Sequence, residues 1–217
     1  MALKAVIFDM DGVLVDTEPF YIQQTIDFYA KRGIEIPQDE LLSLAGMSAQ
    51  KGFALRRDWL DPSMSMEEFL PIFMEESNKE LLDYKDVVFP YVHYIIPRLH
   101  EMGLKIAIAS SSDLNHINQT IEAARLSEYV DVRTSGFDFE HSKPNPEIYL
   151  ATLEKLGVTA DEAIAVEDST YGIVAANRAH VPVIARRDLR FPFDQSTANW
   201  VVDDLMQAYN IIRGLNK

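Results

Sequence analysis

The chain has 217 residues, of which 47% are hydrophobic and 25% are charged, a composition typical of globular proteins and unlike that of disordered ones. Its 20 Lys and Arg against 34 Asp and Glu give a formal net charge of −14, which predicts repulsion from nucleic acid and from anionic lipid surfaces. The sequence contains no cysteine, so disulfides, thiolate metal ligands and a cysteine nucleophile are excluded.

The chain shows no sign of a membrane or secretory location. The sequence contains no stretch of about 18 apolar residues, the length needed to cross a bilayer. Residues 1–8 also lack the long apolar core of a signal peptide. The length fits one large domain or one domain with a sizeable insertion. We therefore expect a cytoplasmic protein with neither a nucleic acid nor a membrane as partner.

Short apolar runs that end in polar turns predict buried parallel strands. The first run, Ala5–Phe8, stops at Asp9-Met10-Asp11-Gly12. Similar runs occupy residues 104–109, 163–166, 181–185 and 200–202. Helical periodicity between the runs predicts helices over residues 92–102, 114–124 and 146–156, with a kink or break at Pro97 in the first of them and Asn145 as the cap of the third. Strands that alternate with helices indicate an α/β fold with a parallel sheet.

One segment, residues 15–83, breaks this alternation. Ile22, Ile26 and Tyr29 mark one helix, and residues 53–60 and 66–82 suggest others. We predict an all-helical insertion over 15–83, with its ends close together like those of a hinged lid. Residues 1–14 and 84–217 would then form the α/β domain. Because a lid must open and close, we expect a monomer.

Polar residues follow three of the predicted strands. They are Asp9 and Asp11 after the first strand, Ser110 after the second, and Glu167 and Asp168 after the third. In a parallel sheet, ligands bind outside the carboxyl ends of the strands. Four carboxylates around Lys143 alone would repel one another, and a divalent cation would relieve that repulsion. Oxygen ligands without His or Cys favour Mg2+.

Such a site is suited to a phosphate group. Asp9 could attack phosphorus to form an aspartyl-phosphate, while Asp11 protonates the leaving oxygen and then takes a proton from the incoming nucleophile. Gly12 would let the backbone turn tightly enough to bring both carboxylates to one phosphate. Lys143 and the hydroxyl of Ser110 would contact the anion, and the helix beginning near Ser112 would direct its free N–H groups towards it.

Four motifs in this order resemble those of the haloacid dehalogenase superfamily, in its phosphatase and phosphomutase branch. The motifs are Phe8-Asp9-Met10-Asp11-Gly12-Val13, Ala109-Ser110-Ser111, Ser142-Lys143-Pro144 and Val166-Glu167-Asp168-Ser169. The resemblance implies a Rossmann-like core with a helical cap, Mg2+, a small phosphorylated substrate, Asp9 as nucleophile and Asp11 as general acid and base. It implies phosphate binding by Ser110, Ser111 and Lys143. It also implies metal binding by Asp9, Asp168 and the backbone carbonyl of Asp11, with Glu167 as a further ligand or a supporting group.

The nearest subgroup contains β-phosphoglucomutase and sugar-phosphate phosphatases, and here the sequence departs from the mutase. Tyr21 stands near the place of a mutase histidine, and Ala49-Gln50 replaces an arginine that grips the second phosphate. Lys51, Lys79, Arg56 or Arg57 could substitute for it. We expect Tyr21, Gln50, Lys51 and Lys79 to be candidate substrate contacts. Loss of the arginine favours a phosphatase over a β-phosphoglucomutase-type phosphomutase, which stays the first alternative.

Simpler interpretations remain open. Ser112 suits a helix cap better than Ser110 does, and Ser169 could cap the helix after the fourth motif. The cap aromatics Phe20, Tyr21, Phe28 and Tyr29 are expected mainly in a core, with Tyr21 the one that could face the cleft. The five histidines are expected at the surface or in packing, with His141 the one nearest to Lys143 in sequence. A more distant alternative is a phospho-acceptor module without turnover.

Overall fold

The computed structural model describes residues 3–77 and 82–216. Within them, six parallel strands form one sheet in the order β3-β2-β1-β4-β5-β6. The strands are β1 (Ala5–Phe8), β2 (Lys105–Ser110), β3 (Val132–Ser135), β4 (Ala163–Glu167), β5 (Val183–Arg186) and β6 (Trp200–Val202). This is the strand order of a Rossmann sheet, with its switch point beside β1. The prediction of a Rossmann-like α/β fold is confirmed.

Helices occupy both faces of the sheet and the segment between β1 and β2. They are α1 (Glu18–Ala30), α2 (Gln38–Ser43), α3 (Ala49–Leu60), α4 (Met66–Ser77), α5 (Val92–Glu101), α6 (Leu114–Ala123), α7 (Glu147–Leu156), α8 (Thr170–Arg178) and α9 (Leu205–Leu215). None of the helices in these described ranges is both long and apolar enough to pass through a lipid bilayer.

Buried strands divide their side chains between two hydrophobic clusters, because successive residues of a strand point to opposite faces. Val6 and Phe8 of β1 join the cluster that α5 and α9 cover, whereas Ala5 and Ile7 join the cluster under α7 and α8. Both faces are therefore apolar, which explains why these strands read as continuous apolar runs. The polar residues at and just after the strand ends therefore lie outside both clusters, at the carboxyl ends of the strands.

The helices α1 to α4 lie between β1 and β2 and have an aromatic core of their own. Phe28, Tyr29, Phe69 and Phe73 are its buried members, and the Phe28 ring meets the rings of Tyr29 and Phe69 edge to face. We refer to α1–α4 as the helical insertion. Its bounds as a separate domain, 15–83, stay a prediction, and Val15 itself is fully buried in the core of the sheet domain.

Two chain segments connect the helical insertion to the sheet, and they run side by side. Asp16 N–H donates to the carbonyl of Val87 at 2.7 Å, and Phe89 N–H donates to the carbonyl of Leu14 at 2.9 Å. Val15 forms an isolated antiparallel bridge with Val88. The chain thus leaves and re-enters the sheet domain at one place, as a hinge requires.

Several local predictions differ from the structure. The edge strand β3 and the short helix α2 were not predicted, because neither carries a long enough apolar pattern. Helix α5 continues through Pro97, so of the expected kink or break the break does not occur. The helix predicted over 66–82 ends at Ser77 as described, and Leu82 is not helical, while residues 78–81 lie outside the described part of the chain.

Candidate active site

The carboxyl ends of β1, β2 and β4 meet at one edge of the sheet. Phe8 is level with Ile108 on one side and with Val166 on the other, so the residues that follow come together. Asp9 N–H donates to the carbonyl of Val166 at 2.9 Å, which fixes the first turn beyond β1. Asp9, Ser110 and Glu167, predicted from sequence as neighbours, are brought together here.

Lys143 lies at the centre of this edge and is almost fully buried, with 7% of its surface exposed. Its Nζ donates to Asp9 Oδ1 at 2.7 Å, to Glu167 Oε1 at 2.6 Å and to the carbonyl of Ala109 at 2.9 Å. These three contacts use the three N–H groups of the ammonium. The side chain is therefore held in one position, with a charge that faces Asp9.

Glu167 is fully buried, and its position is set by donors on two sides. Besides Lys143, the hydroxyl of Tyr149 donates to Glu167 Oε1 at 2.5 Å. Gly172 leaves room for this carboxylate, since a Cβ at Gly172 would lie 2.1 Å from Glu167 Cδ. Tyr149 was predicted only as part of an apolar helix face, and a lone Tyr on such a face carries no signal of a polar role.

The carboxylates carry more negative charge than the nearby ammonium compensates. Burial raises the pKa of Asp9 to about 8; Lys143 opposes this rise and Glu167 adds to it. Burial also raises the pKa of Asp168 well above its ordinary value, and the charges of Asp9 and Glu167 act in the same direction. Burial alone would lower the pKa of Lys143, but the charges of Asp9 and Glu167 prevail and raise it. The site therefore favours an additional cation.

The same carboxylates have the arrangement needed to hold a metal ion. Asp9, Glu167 and Asp168 each offer an oxygen atom, and these atoms lie within 4.8 Å of one another. Within residues 3–77 and 82–216, no side chain donates a hydrogen bond to the Asp168 carboxylate. A buried carboxylate without a donor is costly unless a cation binds it. The all-oxygen donor set suits Mg2+.

The carboxylate of Asp11 is held apart from this cluster. Its Oδ1 accepts a hydrogen bond from Thr17 Oγ1 at 2.7 Å, and its Oδ2 accepts one from Ser112 Oγ at 3.1 Å. Thr17 and Ser112 thus hold the Asp11 carboxylate in the wall of the cavity. The two aspartates of the first motif therefore have different surroundings, as two different chemical roles would require.

The serines after β2 line the cavity, but their roles in the turn differ from the prediction. Ser110 Oγ accepts a hydrogen bond from Ser112 N–H at 3.1 Å, and Ser110 and Ser111 line the cavity together. Asp113, rather than Ser112, caps α6 by accepting from His116 N–H. Ser169 caps α8, as the simpler interpretation of this residue predicts, because its side chain accepts a hydrogen bond from Gly172 N–H.

A cavity of about 640 Å³ lies between the carboxyl edge of the sheet and the helical insertion. Asp9, Asp11, Lys143 and Asp168 form part of its wall on the sheet side. The wall on the side of the helical insertion includes Glu18, Phe20, Tyr21, Gln24, Phe53 and Arg56. A volume of this size is typical of sites for small molecules.

The candidate substrate contacts divide into those at the cavity and those away from it. Tyr21 lines the cavity, and its hydroxyl lies 3.3 Å from His116 Nε2. Gln50 and Lys51 are exposed and absent from the cavity wall, and the Lys51 ammonium lies 5.5 Å from the centre of the Tyr171 ring. Lys79 lies outside the described residues.

Two expectations about aromatic and histidine residues need correction. Phe20 lines the cavity together with Tyr21, whereas Phe28 and Tyr29 belong to the core of the helical insertion as expected. His116, expected at the surface or in packing, also lines the cavity. His141 is exposed and does not line it.

Arg186 is a buried residue of the site that the motifs did not reveal. Its Nε donates to the carbonyl of Gly12 at 2.6 Å, and its Nη2 pairs with Asp188 at 2.8 Å. The charge of Arg186 partly offsets the raised pKa of Asp168. The available signal was a charged residue at the end of an otherwise apolar strand, β5.

The sequence profile of haloacid dehalogenase-like hydrolases matches residues 6–186. The chain belongs to the haloacid dehalogenase-like hydrolase family. The resemblance seen in the four motifs is thereby confirmed, and with it an enzyme of the phosphatase or phosphomutase type. The four motifs span positions 8–169 and fall within the matched region.

Individual relatives are similar over most of the chain. A phosphorylated carbohydrates phosphatase of Thermotoga maritima is 31% identical over 182 residues, 82% of each chain. Hexitol phosphatase B of Escherichia coli K12 is 31% identical over 203 residues, 87% of this chain and 88% of the relative. The crystal structure of a β-phosphoglucomutase from Clostridium difficile superposes with a TM-score of 0.78 at 25% identity, covering 98% of this chain and 99% of that one.

One further relative is much longer than this chain. The Arabidopsis thaliana protein SUPPRESSOR OF QUENCHING 1, chloroplastic, is 32% identical over 189 residues, which are 84% of this chain but 18% of that protein. The similarity thus concerns one part of the plant protein.

Proposed function

We propose that this hydrolase is a Mg2+-dependent phosphatase that cleaves a small phosphate ester, a phosphorylated sugar or sugar alcohol, through an aspartyl-phosphate on Asp9. The observation that carries the proposal is the contact of Lys143 with Asp9 at the wall of the cavity, beside the buried carboxylate of Asp168. The two relatives named as carbohydrate and hexitol phosphatases support the substrate class.

In the first step, an Asp9 carboxylate oxygen attacks phosphorus, a new O–P bond forms and the ester O–P bond breaks. Asp11 gives its proton to the leaving alcohol oxygen. In the second step, water attacks phosphorus while Asp11 takes a proton from the water. The Asp9–phosphorus bond breaks, and inorganic phosphate leaves with Asp9 restored.

The residues around the nucleophile stabilise the charge that this chemistry develops. Lys143 holds a positive charge beside Asp9 and compensates negative charge on the transferred group. Ser110 and Ser111 line the same part of the cavity and would donate hydrogen bonds to phosphate oxygens. Thr17 and Ser112 keep Asp11 pointing at the position of the leaving oxygen.

Asp9, Asp168 and the backbone carbonyl of Asp11 would hold the Mg2+ ion, with Glu167 in support because Lys143 and Tyr149 already occupy its Oε1. A bound Mg2+ supplies positive charge that offsets the charge of the phosphate group and of the carboxylates. The fit rests on the buried cluster of three carboxylates and on the all-oxygen donor set.

The proposal is tested with 4-nitrophenyl phosphate and a panel of phosphorylated sugars and sugar alcohols, with released phosphate as the measurement. We expect multiple turnovers in Mg2+, loss of activity in EDTA and recovery when Mg2+ returns. Asp9→Asn should lower kcat by more than about a thousandfold because the nucleophile is lost. Asp39→Asn, at an exposed position of α2, is the matched control and should keep full activity.

Three results would contradict the proposal. Activity retained by Asp9→Asn, with a folded protein by circular dichroism, would remove the nucleophile assignment. A single phosphorylation of the protein without repeated release of phosphate would instead indicate a phospho-acceptor module. Conversion of β-glucose 1-phosphate to glucose 6-phosphate without phosphate release would indicate the mutase.

A further inference from the structure

The wall of the cavity on the helical-insertion side carries two charged residues that the phosphate chemistry does not use. Glu18 at the start of α1 and Arg56 in α3 both line the cavity. They come from two helices of the insertion, whereas the catalytic groups follow strands of the sheet. Their position is that of residues that contact the part of a substrate that does not react.

Arg56 is fixed at its inner end and free at its outer end. Its Nε donates to Thr25 Oγ1 at 2.9 Å, and its guanidinium carbon lies 5.6 Å from the centre of the Phe73 ring. Gly52 leaves space for it, because a Cβ there would lie 2.9 Å from Arg56 Nη1. In the described residues, neither terminal nitrogen of Arg56 has a hydrogen-bond acceptor. Its outer N–H groups therefore remain available to a ligand.

Glu18 is also held by one atom only. Its Oε1 accepts a hydrogen bond from Gly46 N–H at 2.9 Å, and no donor to its Oε2 exists among the residues described. Burial raises the pKa of Glu18 to about 7, and the charge of Arg56 opposes that rise. The two side chains thus interact through their charges, yet they form no ion pair.

We infer that Glu18 and Arg56 form a hydroxyl-binding subsite, which favours phosphate esters whose other end is neutral and polyhydroxylated and disfavours a second phosphate. This inference rests on the proposed function and narrows it. Arg56 offers donors and Glu18 an acceptor, and a hydroxyl group both donates and accepts. A chain of neighbouring hydroxyls satisfies both residues, whereas an ester without hydroxyls leaves them unpaired.

The balance of charge explains why a second phosphate is disfavoured. A phosphate at this end would accept hydrogen bonds from Arg56, but above about pH 7 it would also meet an ionised Glu18, which cannot donate to it. A phosphomutase must hold a bisphosphate intermediate, so the Glu18–Arg56 subsite favours hydrolysis over mutase chemistry.

The test measures binding separately from turnover. In the Asp9→Asn background, calorimetry in Mg2+ at pH 8.5 compares glucitol 6-phosphate with glucitol 1,6-bisphosphate. We expect the monophosphate to bind at least about tenfold more tightly, the worth of one or two hydrogen bonds. Adding Glu18→Gln should cut this preference about tenfold, because it removes the charge and keeps the acceptor for Gly46. Adding Arg56→Gln should weaken the binding of glucitol 6-phosphate about tenfold, and it should weaken the binding of 4-nitrophenyl phosphate less.

Arg57→Gln and Glu40→Gln serve as matched controls, because Arg57 pairs with Asp58 and neither position lines the cavity. Both should leave the preference unchanged. Tighter binding of the bisphosphate by the Asp9→Asn parent, no binding of the monophosphate, or an unchanged preference after Glu18→Gln would each overturn the subsite. Failure of phosphate release by the wild type, with the expected binding preferences intact, would count against the proposed function alone.

Discussion

Gly12 shows at the scale of one residue how the first motif makes room for the cation site. Its φ angle is +80°, and a Cβ there would lie 2.0 Å from Asp168 Oδ2. A side chain would therefore be strained by the backbone and would collide with a proposed metal ligand. Gly33 has a similar φ of +68° but nothing within 4 Å. A substitution at Gly33 therefore measures the cost of the backbone conformation alone. A substitution at Gly12 adds the cost of the collision with Asp168.

Gly12→Ala is expected to lower the free energy of unfolding more than Gly33→Ala does. Gly33→Ala should cost about 1 kcal/mol, the strain of a left-handed non-glycine residue. Gly12→Ala should cost at least about 2 kcal/mol, and it should raise the Mg2+ concentration for half-maximal activity about tenfold by displacing Asp168. Urea unfolding and a Mg2+ titration measure the two effects. Equal losses with an unchanged Mg2+ requirement would contradict this reading.

At the scale of elements, the loop after β5 is tied to the segment that leads into the helical insertion. Arg190 donates to both carboxylate oxygens of Asp16, at 2.9 and 2.8 Å, and its Nε donates to Asp188 at 2.8 Å. Asp16 N–H in turn donates to the carbonyl of Val87. Three segments of chain are thereby joined beside the hinge.

Arg190→Gln is expected to lower the free energy of unfolding by about 1 kcal/mol, since it breaks a small network of charges. Arg187→Gln breaks one isolated, exposed ion pair, between Arg187 and Asp203. It should lower the free energy of unfolding by less than about 0.5 kcal/mol. Urea unfolding at low salt measures both, and 0.5 M NaCl should shrink the difference because the groups are partly exposed. Equal costs for the two substitutions would show that Arg190 does not act through a network.

At the scale of the whole molecule, the cation cluster joins distant parts of the chain. Asp9 follows the first strand, and Glu167 with Asp168 follows the fourth. Their mutual repulsion raises the pKa of Asp9 and of Asp168 beyond the effect of burial. Folding without a cation therefore carries a cost that a bound ion would remove. Ligands that bind only the folded state stabilise it, and the stabilisation grows with the logarithm of the ligand concentration above Kd.

Mg2+ at saturating concentration is expected to raise the Tm by about 5 °C, because about 2 to 3 kcal/mol of binding corresponds to such a shift in a chain of this size. Asp168→Asn should abolish the increase, and Asp39→Asn should leave it intact. Differential scanning calorimetry in EDTA and in Mg2+ measures the change. An equal increase in Asp168→Asn would place the ion elsewhere.

The sequence predicted the parallel sheet and four motifs at its strand ends because both depend on local patterns. Apolar runs such as Ala5–Phe8 exist wherever strands are covered on both faces, and the polar residue directly after a run must lie at the sheet edge. The edge strand β3 escaped prediction because Val132–Ser135 is only half covered. Helix α5 passed through Pro97 because packing of Ile95, Ile96 and Leu99 outweighs the lost hydrogen bond.

The cavity wall on the insertion side could not be predicted in the same way. In α3, the sequence made Gln50, Lys51 and Arg56 equally plausible substrate contacts, yet of these three side chains only Arg56 lines the cavity. Tyr149 and Arg186 likewise gain their roles from partners far away in sequence. The residues that are neighbours in sequence determined which chemical groups stand at the strand ends. Tertiary structure alone decided which side chains face the substrate, because that depends on the rotation and packing of whole helices rather than on neighbours in sequence.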